Sequence, residues 1–119
     1  MTPDELKDRT KAFAVRIITL TEALPRSKAA QHVGGQLLRA GTAVGSNYRA
    51  ACRARSPAEF LSKLAIVVEE ADESVYWLDV LAESHLVKAG RLGDLQKEAN
   101  ELLAIFAAAR KTARGTDKG

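Results

Sequence analysis

Between residues 58 and 89 the chain holds neither glycine nor proline. That gap, opened by Ser56-Pro57-Ala58-Glu59-Phe60, limits what this polypeptide can fold into more than any other feature. Ser56 can cap a helix, Pro57 fits the first helical position where its missing N–H costs little, and Glu59 can close a capping box. Phe60, Leu64, Val68, Ala71, Val75, Leu78 and Ala82 then recur at three to four residues, the spacing of one helical face. The pattern predicts one long helix to about Lys88, with Gly90 as the residue that ends it.

Three further segments carry the same period. Leu6, Phe13, Ile17 and Leu20 make a stripe between about Pro3 and Glu22, and Pro25 stops it; Leu24 is expected to pack just past the helix end. Ser27 is a plausible cap for a second helix with the stripe Ala30, Val33, Leu37, Ala40, Val44, Tyr48 and Ala51. Over residues 28 to 53 it would run about 39 Å. A fourth begins near Gly93 or Asp94 and follows Leu95, Ala99, Leu102, Phe106 and Ala109. After Lys111 nothing remains to bury, so residues 1–114 read as one domain and 115–119 as a flexible tail. No strand-like alternation competes. Short connections force neighbours antiparallel, and four one-sided helices close most economically as an all-α, antiparallel up-down-up-down four-helix bundle. At 119 residues there is room for one such core.

Gly41 and Gly45 fall inside the second helical period. No lysine or strand accompanies them in the pattern of a phosphate loop, so close helix packing is the better reading. It must repay about 0.8–1 kcal/mol of helix propensity at each position. With the turn centred near Arg55, position i of helix two lies beside roughly 110 minus i of helix three. Gly41 is then near Glu69, and Arg39 within reach of Glu70.

Charge is unevenly spread. The formal net charge is +3, but residues 1–55 hold ten Lys/Arg against four Asp/Glu, and the remainder eight against eleven. Such a split can steer a polyanion or let one half of the fold attract the other. The lone Cys52 excludes an internal disulfide. The charged N-terminus lacks a signal peptide's apolar core, and no apolar stretch is long enough for a membrane. A cytoplasmic protein without membrane contact is expected.

Catalytic and metal chemistry are poorly provided for. The acidic run at 69–73 lacks the Glu-x-x-His units of a di-iron bundle, and no nucleophile elbow or zinc-protease motif occurs. No enzyme, catalytic residue, metal or cofactor is expected. Two binding readings remain. In an up-down bundle Arg49, Arg53 and Arg55, the set Lys7, Arg9, Lys11 and Arg16, and the set Arg110, Lys111 and Arg114 gather at one pole. Such clusters contact RNA or DNA phosphates without reading bases, with Tyr48 as a stacking ring. The other reading is self-association through Ile66, Trp77, Val80 and Leu81, in a structural or adaptor module that could take a protein client. These residues lie outside the expected stripe of helix three, with Tyr76 beside them.

The block QLLRAGTAVGSNYRAACRARSPAEFLSKLAIVVEEADESVYWLDVLAES, residues 36–84, resembles the four helix bundle protein family. That family includes proteins encoded by intervening sequences of bacterial 23S rRNA genes, sometimes labelled S23 ribosomal protein. Leu24-Pro25-Arg26 and the Leu/Glu-rich last helix fit it too. The resemblance implies an antiparallel bundle that assembles as a homopentamer around a channel, with no catalytic residues. A related branch, the accessory variability protein of diversity-generating retroelements, binds nucleic acid through a positively charged pentamer. This sequence departs from many relatives in carrying Arg49-Ala50-Ala51, rather than Ala-Glu-Gly, after Asn47-Tyr48.

Overall fold

Thr2, Ser27 and Ser56 each stand in extended backbone, and each accepts an N–H from three residues on: Glu5 at 3.1 Å, Ala30 at 3.2 Å and Glu59 at 3.1 Å. These caps satisfy backbone donors that a helix start would leave unpaired. Behind them run α1 (Pro3–Glu22), α2 (Lys28–Cys52) and α3 (Pro57–Glu83); α4 (Ala89–Lys118) completes the chain. The computed structural model describes the backbone of residues 1–118 and the side-chain surroundings of residues 1–115. Turns of four to five residues reverse the chain three times, giving an antiparallel all-α bundle of 50 × 22 × 19 Å.

Phe13, Ile17, Leu37, Leu64, Leu78, Leu92, Leu102 and Phe106 are fully buried at its centre. Each contributes roughly 1.5–3 kcal/mol relative to exposure. Leu24, just beyond α1, is buried as well. The buried positions of α3 are Leu64, Val67, Ala71, Ser74, Leu78 and Leu81. They alternate by three and four residues, the 3.5-residue period of helices crossing at a shallow angle. Val68, Val75 and Ala82 flank this seam and are only partly buried. The expected stripe was therefore rotated by about one residue at alternate turns. Ser74 can occupy the seam because its hydroxyl donates to the Glu70 carbonyl at 2.8 Å.

Helix ends differ from the spacing-based expectation around α3 and α4. Helix α3 stops at Glu83, not Lys88, because His85 takes the left-handed conformation at φ 60°. Gly90 is consequently part of α4, which starts at Ala89 rather than near Gly93. Its helical span also continues past Lys111 to Lys118, while Gly119 of the expected tail lies outside the described residues.

Helix α1 packs broadly on α2 but touches α4 only sparingly. Glycines explain the first contact. A Cβ at Gly41 would sit 2.8 Å from Ile17 Cγ1, and one at Gly45 3.0 Å from Thr10 Oγ1. Gly41 thus packs on α1, not beside α3 as the sequence register implied. Gly34, which the sequence did not single out, does the same for Leu24, whose Cδ1 lies 2.6 Å from the corresponding Cβ position.

Candidate nucleic-acid interface

The α2–α3 turn brings three arginines to one tip. Arg49 lies in the last turn of α2, where its charge complements the helix dipole. Arg53 is the C-cap, its backbone N–H reaching the carbonyls of Ala50 and Ala51, and Arg55 follows in the turn. All three are exposed, and none has an ion-pair partner among the described residues.

Contact between Thr10 and Gly45 fixes the register of α1 against α2. One turn nearer the tip, Lys7 on α1 therefore lies at about the level of Arg49 on α2. Lys11 lies one turn back on the same outer flank of α1. Lys7 is half-buried and within 3.8 Å of Asp4 Oδ1, whereas Lys11 is exposed. Arg110 and Lys111 come from α4, on the other side of the tip; Arg110 is half-buried and Lys111 exposed. The end is mixed in sign, because Asp4, Glu5 and Asp8 are exposed in the first turns of α1.

Two members of the expected basic set, and the expected stacking ring, are engaged or placed elsewhere. Arg9 is clasped by Glu98, with its Nε donating at 2.8 Å and Nη2 at 2.6 Å, and Glu101 lies 3.6 Å away. This clasp ties α1 to α4, and the Arg9 hydrogen bond holds the Glu98 carboxyl below its ordinary range. Arg16 lies 13 residues beyond Pro3, about 20 Å along the helix, and lines a cleft near the opposite pole. Tyr48 is buried, its ring 5.1 Å from that of Phe106, so it offers no stacking face. Burial holds its phenol above the ordinary range, with the nearby Cys52 thiol adding to the effect. Its place in the α2 core stripe was the signal that outweighed the stacking reading.

The apolar group on α3 divides. Leu81 is fully buried and belongs to the core seam; it is not on an outer face, because it completes the three-four alternation with Ser74 and Leu78. Ile66 is exposed, while Trp77 and Val80 are half-buried and pack partly on the core. Trp77 sits at the α2–α3 junction, edge-on to His32 with ring centres 6.2 Å apart. Its Nε1–H donates to Glu73 at 3.4 Å. Glu73 also receives Arg39, which bonds Glu70 at 3.0 Å from its other amino group. That hydrogen bond from Arg39 holds the Glu73 carboxyl below its usual range. Arg39 and Glu70 meet where the antiparallel register puts them. Tyr76 leans on the Trp77 ring at 4.9 Å and is 58% exposed.

Four helices in antiparallel order define the class: an all-α antiparallel bundle. The chain belongs to the family of 23S rRNA-intervening sequence proteins, whose model matches residues 5–108. It is similar in structure to a crystallised protein of unknown function from the S23 ribosomal protein family of Bacteroides thetaiotaomicron VPI-5482. The TM-score is 0.85 and the identity 32%, covering 93% of this chain and 99% of that one. No curated protein matches. No helix among the described residues is long and apolar enough to cross a membrane.

Proposed function

We propose that this protein is a non-enzymatic, self-associating bundle, a homopentamer as its family resemblance implies, that holds RNA or DNA by its phosphates. Arg49, Arg53 and Arg55 make the central contact, assisted by Lys7, Lys11, Arg110 and Lys111. The observation that carries this reading is the exposure of three arginines on one tip without ion pairs among the described residues. Unpaired guanidinium groups give bidentate hydrogen bonds to phosphate without first breaking a salt bridge. Five copies at +3 each would concentrate the field if their tips align.

The test is a titration of fluorescent single-stranded RNA and duplex DNA between 50 and 200 mM salt. Affinity should fall steeply, and reversing Arg49, Arg53 and Arg55 to Glu should flatten the logarithmic salt slope by roughly 2.1–2.7, at roughly 0.7–0.9 per lost phosphate contact. Absence of association at 50 mM salt would refute the reading.

The α2–α3 ledge favours a second reading, that of an adaptor whose partner is another protein. Ile66, Trp77 and Val80, with exposed Tyr76, are the apolar and aromatic residues that suit a subunit or client contact. Light scattering after size exclusion, before and after nuclease treatment, separates the two. A stable oligomer without nucleic acid supports the adaptor. Trp77→Glu and, as a variant less coupled to the core, Ile66→Glu should each lower the mass; unchanged mass in both excludes the ledge as the assembly surface.

A further inference from the structure

Helices α1 and α4 touch only sparingly. Where Arg9 meets Glu98 and Glu101 the helices are tied. Further toward the α3–α4 turn they part, and a cleft of about 780 Å³ opens between them. Arg16, Lys88 and Arg91 line its rim, Leu20, Leu24 and Leu95 its apolar part, and no Asp or Glu contributes to the lining. The three rim cations are exposed and have no ion-pair partner among the described residues. Leu24 and Leu95 are core residues, 8% and 5% exposed, so that part of the cleft is held in place by the fold.

We infer that this cleft binds a small amphiphile with one carboxylate head and an unbranched apolar tail, a fatty-acid-like ligand. Charge complementarity decides the head: three cations line the space and no Asp or Glu does, with Glu98 offsetting part of the Arg16 charge from outside the lining. Arg16 and Arg91 can each present a planar fork to a carboxylate. The leucines decide the tail, since an anion without one would leave the apolar lining wet. Size decides against a helical peptide, because the volume lies within the roughly 300–1,000 Å³ typical of small-molecule sites. From α1 the lining takes Val15, Arg16, Thr19 and Leu20, a rise of about 8 Å, and it continues through Ala23, Leu24 and Pro25 of the following turn. The cleft is near the pole opposite Arg49, Arg53 and Arg55, so it stands apart from the proposed phosphate contact.

Calorimetric titration of the full chain with dodecanoate below its micellar concentration tests the inference, with circular dichroism monitoring the fold. One site per chain is expected. Acetate, which lacks the tail, and dodecyl maltoside, which lacks the charge, should each bind at least about tenfold more weakly. Arg16→Glu with Arg91→Glu, and separately Lys88→Glu, should weaken dodecanoate by a similar factor while helicity is retained. Reversal of Arg49, Arg53 and Arg55 should leave it unchanged, so loss of nucleic-acid binding and loss of this site are separable. The inference is overturned by no binding up to about 1 mM, by equal binding of dodecyl maltoside, by insensitivity to the charge reversals, or by an acidic peptide displacing dodecanoate from the same residues at lower concentration.

Discussion

Helix α1 has two neighbours and meets them by opposite means. Against α2 it lies on glycine backbone: Ile17 fills the place of a side chain at Gly41, and Thr10 does so at Gly45. Against α4 it is held by an ion pair, with Arg9 gripping Glu98 and Glu101, and beyond that clasp the helices separate around a cleft. Backbone-to-side-chain packing is short-ranged and intolerant of added atoms, because interiors are dense. A long, partly solvated ion pair bridges a wider gap and tolerates change. One helix therefore has a fixed side and an adjustable side.

The sharpest way to break this comparison is to add volume on the fixed side. Gly45→Leu has Thr10 side-chain and backbone atoms in its way, so we expect a loss of about 3 kcal/mol, at the upper end for overpacking. Urea denaturation would measure it, and a neutral result would mean that α1 slides freely on α2.

Removing the clasp should cost less. Arg9→Ala is expected to destabilise by about 1 kcal/mol, the scale of a partly exposed pair with good geometry. Acid acts on the same contact. The Glu98 pKa is depressed in the folded state by its hydrogen bond from Arg9. Its stabilisation is present above the unfolded carboxyl value, near 4.3–4.5, and is lost as pH falls through the lower folded value. Glu98→Gln should flatten that part of the acid slope in stability measured between about pH 5 and pH 2; an unchanged slope would remove the ion pair from the account.

Two glycines of α2 offer a finer contrast. An added methyl at Gly35 meets nothing, so Gly35→Ala should raise stability by about 0.8 kcal/mol through helix propensity. Gly45→Ala should forfeit that gain against Thr10. Equal gains at the two positions, read from midpoints of thermal unfolding, would contradict the packing role. The smallest effect belongs to the cleft side. His85 holds a left-handed conformation that L residues pay for, and His85→Gly should stabilise by about 0.5 kcal/mol, since glycine also loses more chain entropy. A loss instead would mean that the imidazole contributes contacts of its own.

Much of the bundle could be read from residue order because caps and apolar period are local. Ser27 and Ser56 mark two helix starts for reasons confined to a single turn, and Pro25 marks a stop likewise. The phase of α3 was harder. Val68, Val75, Val80 and Leu81 give that helix apolar residues on several sides, so period alone does not select which enter the seam. Ser74 enters it only because a hydroxyl can satisfy itself on the preceding turn. The α3 end was hidden by His85, a residue type that rarely adopts the conformation it takes here.

The candidate tip was partly legible in the same way. Arg49, Arg53 and Arg55 gather because they flank one turn, whereas Arg9 and Arg16 were expected beside them and are elsewhere engaged or placed. A charge shows its sign in the sequence but not its partner: Arg9 meets Glu98 across 89 residues.

Residue order by itself determined that this chain makes capped helices, joined by short reversals and obliged to hide one side each, since those outcomes depend on neighbours within a turn or two. Only the tertiary structure decided which helix rests on the glycines, which arginines stay free, that Leu81 turns inward, and that α1 and α4 leave space between them. Those depend on distances between residues far apart in the chain, which are set when whole helix surfaces settle against one another.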